Sequence, residues 1–185
     1  MVAFGVFSLL LLFNPTQGVY DKSIFQSLVP QIQIVSKASS GSPVRLKIPS
    51  INVDAAIEYV GLTSKRAMEV PINSVDVGWY KLGPRPGEKG SAVIDGHFDG
   101  ENGEASVFTN LYKLKQGDKL YIEDNKGITF TFVVQESRTY DSGYSSDVFS
   151  RSDGTHLNLI TCDGVWDGIK KSYSKRLVVF ADIIR

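Results

Sequence analysis

From Val44 onward, apolar and polar residues alternate with a period of two rather than 3.6. Val44-Arg45-Leu46-Lys47-Ile48 sets the pattern and stops at Pro49. Residues 119–123, 129–135, 156–161 and 177–184 repeat it. Residues 91–94 form a shorter apolar run, the pattern of a buried strand, and lead into Asp95-Gly96-His97. Turn residues separate these runs, as in Gly83-Pro84-Arg85-Pro86-Gly87 and Gln116-Gly117-Asp118. Helical spacing is weak and is best over 106–115. Many short strands with frequent turns predict a mainly β domain, either a sandwich or a barrel. No solenoid-type repeat is present. About 140 residues suffice to bury roughly two thirds of the unfolded surface in one core.

The chain before Val44 has a different character. Residues 1–13, MVAFGVFSLLLLF, are apolar except for Gly5 and Ser8, and no charge occurs before Asp21. As a helix they would cover about 20 Å, against roughly 30 Å of bilayer hydrocarbon. Three readings stand: the tail of a membrane anchor that starts upstream, an atypical signal sequence without a basic n-region, or a buried helix. Asn14-Pro15 would end such a helix. Ser36-Lys37-Ala38-Ser39-Ser40-Gly41-Ser42 has the composition of a flexible linker. The expected organisation is an anchor or signal segment over 1–17, a linker over 18–42, and a folded domain over 43–185.

Composition narrows the function. The chain has 185 residues, 42% of them hydrophobic, which excludes wholesale disorder and a multi-span membrane protein. Twenty basic residues balance twenty acidic ones, so the basic excess of a general nucleic-acid binder is missing, and no nucleic-acid partner is expected. A single cysteine, Cys162, excludes an intramolecular disulfide and multi-cysteine metal sites. The two histidines, His97 and His156, argue against a His-rich metal centre.

Cys162 ends the run His156-Leu157-Asn158-Leu159-Ile160-Thr161, just before Asp163-Gly164. A lone cysteine is commonly a small buried hydrophobe, but a strand end is where a rigid scaffold presents a catalytic group. With a free pKa near 8.5, about 3% would be thiolate at pH 7, so a nucleophile needs a base or cation nearby. His156 lies six residues upstream on the same strand, about 20 Å away, which is out of reach. His97 also follows an apolar strand and meets Cys162 if the two strand ends share an edge. If the strands flanking 163–175 pair antiparallel, Arg176 lies near Cys162 and can donate to an oxyanion. Spacing alone does not separate it from Lys170, Lys171 and Lys175.

These residues resemble the sortase family. Leu159-Ile160-Thr161-Cys162 followed by Arg176-Leu177-Val178-Val179-Phe180-Ala181 is similar to the catalytic strand and its successor, and Ala92-Val93-Ile94-Asp95-Gly96-His97 to the segment carrying the family's histidine. VRLKIPSINV (44–53) resembles the first strand. Val77-Gly78-Trp79-Tyr80 with Gly83-Pro84-Arg85-Pro86-Gly87 resembles the smaller class F and class E members. Asn158 and Asp95 depart from the usual Thr and Ala, and a carboxylate facing His97 would favour imidazolium.

The resemblance implies a closed eight-stranded β-barrel with short helices in its connections. It implies a cysteine transpeptidase and thiol peptidase in which Cys162 is nucleophile, His97 proton donor and Arg176 oxyanion stabiliser. The implied partners are an LPxTG-like sorting-signal peptide and an amine acceptor, either a peptidoglycan precursor or a pilin lysine, with hydrolysis when no amine is present. The connection 138–154 would shape the peptide groove, with Tyr140, Tyr144, Val148 and Phe149 either contacting peptide or packing the loop down. Thr161 would touch the peptide or shape the oxyanion environment. The implied location is the outer face of a bacterial membrane, held through the N-terminal segment, with a secreted form as the alternative.

No cofactor is expected. Asp95, His97, Asp99 and Glu101 superficially suggest a calcium loop, but the EF-hand pattern fails at its third and twelfth positions. Two other functions compete: an L,D-transpeptidase, disfavoured because Thr161 precedes Cys162 and His97 is far upstream, and a non-enzymatic β-domain that binds peptide or polysaccharide.

Overall fold

A computed structural model describes residues 41–100, 103–142 and 147–184. The anchor and linker expectations, apart from Gly41 and Ser42, lie outside these residues, as does Tyr144. Eight strands are described: β1 (Pro43–Ile48), β2 (Val53–Val60), β3 (Val77–Tyr80), β4 (Gly90–Gly96), β5 (Lys119–Asp124), β6 (Thr129–Asp141), β7 (Thr155–Asp167) and β8 (Ser172–Ile183). They close into a barrel in the order β1-β2-β3-β4-β7-β8-β6-β5. The pairs β2–β3 and β4–β7 are parallel, and the rest are antiparallel. The expected closed, mainly β fold is what forms.

Alternation places one set of side chains inside the wall. Leu46, Ile48, Ile94, Leu120, Ile122, Phe132, Leu157, Leu159 and Val179 fill the interior with no or almost no exposure. The other face of β4, β7 and β8 carries a second apolar cluster of Val93, Ile160, Val178 and Phe180. Val60, Met68 and Val148 complete it, Val148 coming from the one-turn helix α1 (Asp147–Ser150). These strands are apolar on both faces, which is why 91–94 reads as a continuous apolar run.

Three strands extend beyond their sequence-predicted ends. β6 continues through the polar stretch Glu136-Ser137-Arg138-Thr139-Tyr140-Asp141 because β8 pairs with it as far as Asp141↔Lys175. β7 and β8 run on into a long hairpin whose last pair is Asp167↔Ser172. The 163–175 connection is therefore mostly strand. A bulge lies between Asp163 and Trp166, and Gly164 takes φ +83 there, a conformation that favours glycine. The helical expectation over 106–115 reduces to a single 3-10 turn at Leu111–Lys113. Gly41 and Ser42, expected at the end of the linker, are held on the barrel. Gly41 N–H donates to Asp124 Oδ2 at 2.7 Å, and Ser42 N–H donates to Asn125 Oδ1 at 3.1 Å.

Candidate active site

Cys162 lies on β7 directly opposite Arg176 on β8, and Arg176 lies opposite Tyr140 on β6. Paired residues share a face, so Tyr140, Arg176 and Cys162 form a row across three strands. Counting back by two along β7 gives Ile160 of the outer cluster, so the thiol is on the outer face of the wall. Asp95 reaches the same face from β4, where it pairs with Ile160.

His97 follows the last residue of β4. Gly96 allows the close approach of the Phe108 ring: a Cβ there would lie 2.5 Å from it. The Phe108 N–H donates to the His97 carbonyl at 2.9 Å, fixing the backbone. His97 Nε2 lies 2.8 Å from the Pro71 carbonyl oxygen. A carbonyl only accepts, so Nε2 carries the proton and Nδ1 is the nitrogen left to exchange one.

Cys162 and His97 line one cavity of about 640 Å³, together with Ile72, Ser74, Asp99, Trp166 and Tyr173 among others. Tyr173 donates its hydroxyl to Asp99 Oδ2, and this bond, reinforced by burial, pushes the Tyr173 hydroxyl up to about 12. The Tyr173 ring packs edge-on against Phe98 at 5.7 Å and Trp166 at 5.2 Å. This clasp joins the His97 loop to the β7–β8 hairpin. The guanidinium of Arg176 is not part of the cavity lining. Its Nη1 donates to the carbonyls of Lys175 at 2.8 Å and Tyr173 at 3.1 Å.

The charges around the sulfur oppose one another. Burial pushes the Cys162 thiol up, Arg176 pulls it down, and Asp95 and Asp99 push it up further. Asp95 is raised to about 7 by burial, against the pull of Arg176. Arg176 is thus the charged partner that Asp95 feels, while the His97 ring is engaged by Pro71.

The remaining expected residues lie elsewhere. Thr161, with 1% exposure, points to the opposite side of β7 from the thiol and donates its hydroxyl to the Gly96 carbonyl at 2.7 Å. That bond ties the Cys162 strand to the His97 strand, and it places the hydroxyl away from any peptide on the outer face. Tyr140 and Phe149 pack on the outer cluster rather than in the Cys162 cavity. Phe149 meets Tyr80 edge-on at 5.6 Å and lines a smaller cavity of about 230 Å³ with Leu62, Arg66, Met68 and Tyr80. Asn158 donates its amide to the Val148 carbonyl at 2.6 Å, holding α1 on the wall.

His156 sits at the far end of β7, 5% exposed, between Asp182 (2.6 Å) and Asp153 (2.9 Å). It is an internal clamp, unrelated to Cys162. Sequence reasoning did not find Tyr173, Trp166, Ile72 or the Pro71 carbonyl. The hairpin residues follow Cys162 in the chain, but only the pairing of β7 with β8 turns them toward it. Among the described residues, no group of three His, Cys, Asp or Glu side chains is placed to hold a metal ion. Glu101 of the calcium alternative lies outside them.

A closed barrel with a thiol on its outer wall, a histidine in the same cavity and an arginine across the next strand defines a class of cysteine-centred barrels. Within it, the Sortase domain family matches residues 46–184, and the chain belongs to the sortase family. Sortase A of Listeria monocytogenes serovar 1/2a is 32% identical over 75 residues, which cover 40% of this chain and 32% of that protein. The structure of Sortase A from Corynebacterium diphtheriae superposes with a TM-score of 0.62 at 22% identity, covering 79% of this chain and 62% of that one. Streptococcus agalactiae sortase C1, solved in complex with MTSET, gives 0.59 at 26% identity, covering 77% of this chain and 68% of that one. The chain spans less than two thirds of the length of the Listeria and Corynebacterium proteins.

Proposed function

We propose that the barrel is a cysteine transpeptidase that cleaves an LPxTG-like sorting signal and joins the acyl fragment to an amine. The observation that carries this reading is the shared cavity of Cys162 and His97, with Arg176 directly across the strand pair from the sulfur. The Cys162 thiolate attacks the scissile carbonyl carbon, and the developing oxyanion takes hydrogen bonds from the Arg176 guanidinium. Protonated His97 gives its Nδ1 proton to the leaving amine as the C–N bond breaks, leaving a thioester on Cys162. An acceptor amine then attacks that carbonyl, His97 takes up the amine's proton, and thiolate departs as the new amide forms. Water in place of the amine releases the acid.

The outer-face cluster supplies a path for the peptide. Its edge at Tyr80 and Phe149 borders the smaller cavity, which would accept an apolar side chain upstream of the cleaved bond. Thr161 contributes by positioning, through the Gly96 carbonyl. The amine comes from a peptidoglycan precursor or a pilin lysine. The site of action is the outer face of a bacterial membrane, with the apolar N-terminal segment as anchor and 43–185 as the catalytic domain.

The test is intact-mass analysis after incubation with a library of LPxTG-like peptides. A thioacyl adduct on Cys162 is expected, absent in Cys162→Ala and discharged by added amine. His97→Ala should abolish turnover, and Arg176→Ala should lower it by about 10²–10³-fold, the scale of losing an oxyanion donor. Peptide transfer by the Cys162→Ala protein would overturn the mechanism.

A further inference from the structure

The β7–β8 hairpin runs past the cavity and ends in a tip that the barrel does not cover. Ile169 is 97% exposed and Trp166 53%, and Val165 beside them is also exposed. A single exposed apolar side chain is ordinary, but three within five residues make this tip unusually apolar for a surface turn. The turn is built to hold them there. Asp167 Oδ1 accepts the N–H groups of Ile169 at 2.9 Å and Lys170 at 3.0 Å, which sets the turn, and Trp166 is braced against Tyr173. Lys170 and Lys171 follow Ile169 at the tip and are exposed, with Lys170 Nζ 3.7 Å from Asp167 Oδ2; Lys175 lies further back on β8, opposite Asp163. Over 163–176 basic side chains outnumber acidic ones four to two, in a chain whose net charge is zero.

A peptide in the active-site cavity does not account for the tip. Such a ligand would touch Trp166 and Tyr173, which line the cavity, but Ile169, Lys170 and Lys171 do not line it. An aromatic ring and an aliphatic side chain followed directly by two lysines match the water–lipid boundary. There the apolar groups enter the acyl region while the ammonium groups meet phosphates.

We propose that the hairpin tip, residues 166–171, docks on an anionic lipid surface, with Trp166 and Ile169 at the headgroup–acyl boundary. Five residues of strand separate Cys162 from Asp167, about 17 Å at strand rise. The thiol is then held that far above the lipid, within reach of substrates tethered to the same membrane. On the anchor reading, the apolar N-terminal segment supplies the other of the two signals that stable attachment usually takes. This docking stands apart from the acyl-transfer reading and holds whatever chemistry Cys162 performs.

The test is tryptophan quenching by brominated acyl chains, using the full chain. Vesicles are phosphatidylcholine with or without phosphatidylglycerol. Trp79, 4% exposed inside the barrel, is the internal reference. Bromine position reports where Trp166 lies, so binding through the N-terminal segment alone gives no signal. Quenching is expected on vesicles that contain phosphatidylglycerol and is expected to vanish in Trp166→Phe. Lys170→Gln with Lys171→Gln should raise the anionic lipid needed by roughly tenfold or more, and Ile169→Glu should weaken docking by about tenfold or more. Unchanged Trp79 emission and an unchanged melting temperature establish that each variant is folded. Emission indifferent to bromine on a vesicle-bound chain, quenching retained in Trp166→Phe, or indifference to the lysine changes would each overturn the proposal. So would self-association that shields Trp166 from a water-soluble quencher without any bromolipid effect, since that assigns the tip to protein contact.

Discussion

Replacing Asp95 by Asn removes a titratable charge from the face that carries Cys162 while keeping the side chain's shape. Asp95 pairs with Ile160 across β4–β7, and Cys162 lies two residues further along β7. Two residues of rise and one strand spacing put the two positions about 8 Å apart. At an effective dielectric of 20, unit charges at that distance interact by about 2 kcal/mol. The half-buried thiol is partly screened by solvent, which brings this to about 1 kcal/mol. That corresponds to a roughly fivefold change in thiolate fraction. The sign follows from Asp95 being raised to about 7. Well below that pH the carboxyl is neutral and the two proteins should react alike. Well above it wild type carries the extra negative charge and should hold about fivefold less thiolate than Asp95→Asn. The measurement is the second-order rate of Cys162 alkylation by iodoacetamide across the neutral range. Parallel profiles over the whole range, or a faster wild type on the alkaline side, would refute the reasoning. The same group bears on stability. Because its folded pKa is raised, the stability linked to its neutral form is complete below the unfolded value of about 3.9 and is lost as pH rises through about 7. Melting temperatures of wild type and Asp95→Asn should therefore separate on raising the pH, with the variant gaining relative to wild type.

Two further substitutions test the scaffold around the site. Thr161→Val keeps the shape but removes the buried bond to the Gly96 carbonyl; urea unfolding should show a loss of about 1–3 kcal/mol, with slower thiol acylation because the Cys162 and His97 strands lose their tie. Asp124 accepts N–H bonds from Gly41, Lys126 and Ile128, which hold its carboxyl below the usual range despite burial. Its stabilisation is present above the unfolded value of about 3.9 and is lost as pH falls through the lower folded value, so Asp124→Asn should flatten the acid limb of a pH–melting curve.

The period-two alternation, the turn residues and the position of Cys162 at a strand end were legible in the chain because they are local, whereas His97 and Arg176 were singled out by the family resemblance and not by spacing. A strand that covers an apolar interior must alternate, and a nucleophile at a strand end follows from one short run of residues. The strand ends were not legible. Glu136 to Asp141 is polar, and its strand state comes from hydrogen bonds to β8, a partner some forty residues away. The family resemblance implied that Thr161 touches the peptide or shapes the oxyanion environment. Pleating turns neighbours to opposite faces, so its hydroxyl meets Gly96 on the next strand. His156 offered the same side-chain chemistry as His97, and only its distance along β7 excluded it. The two aspartates that clamp it come from elsewhere in the fold.

Amino-acid order was sufficient for the β class, the single thiol and the candidate partners of that thiol, since each depends on residue type and short-range spacing. Closure of the barrel decided the rest: the parallel β4–β7 pairing that sets Asp95 beside the sulfur, and the clasp of Asp99 with Tyr173. Those features arise where strands distant in sequence come to lie about 5 Å apart, and no local pattern encodes which strands those will be.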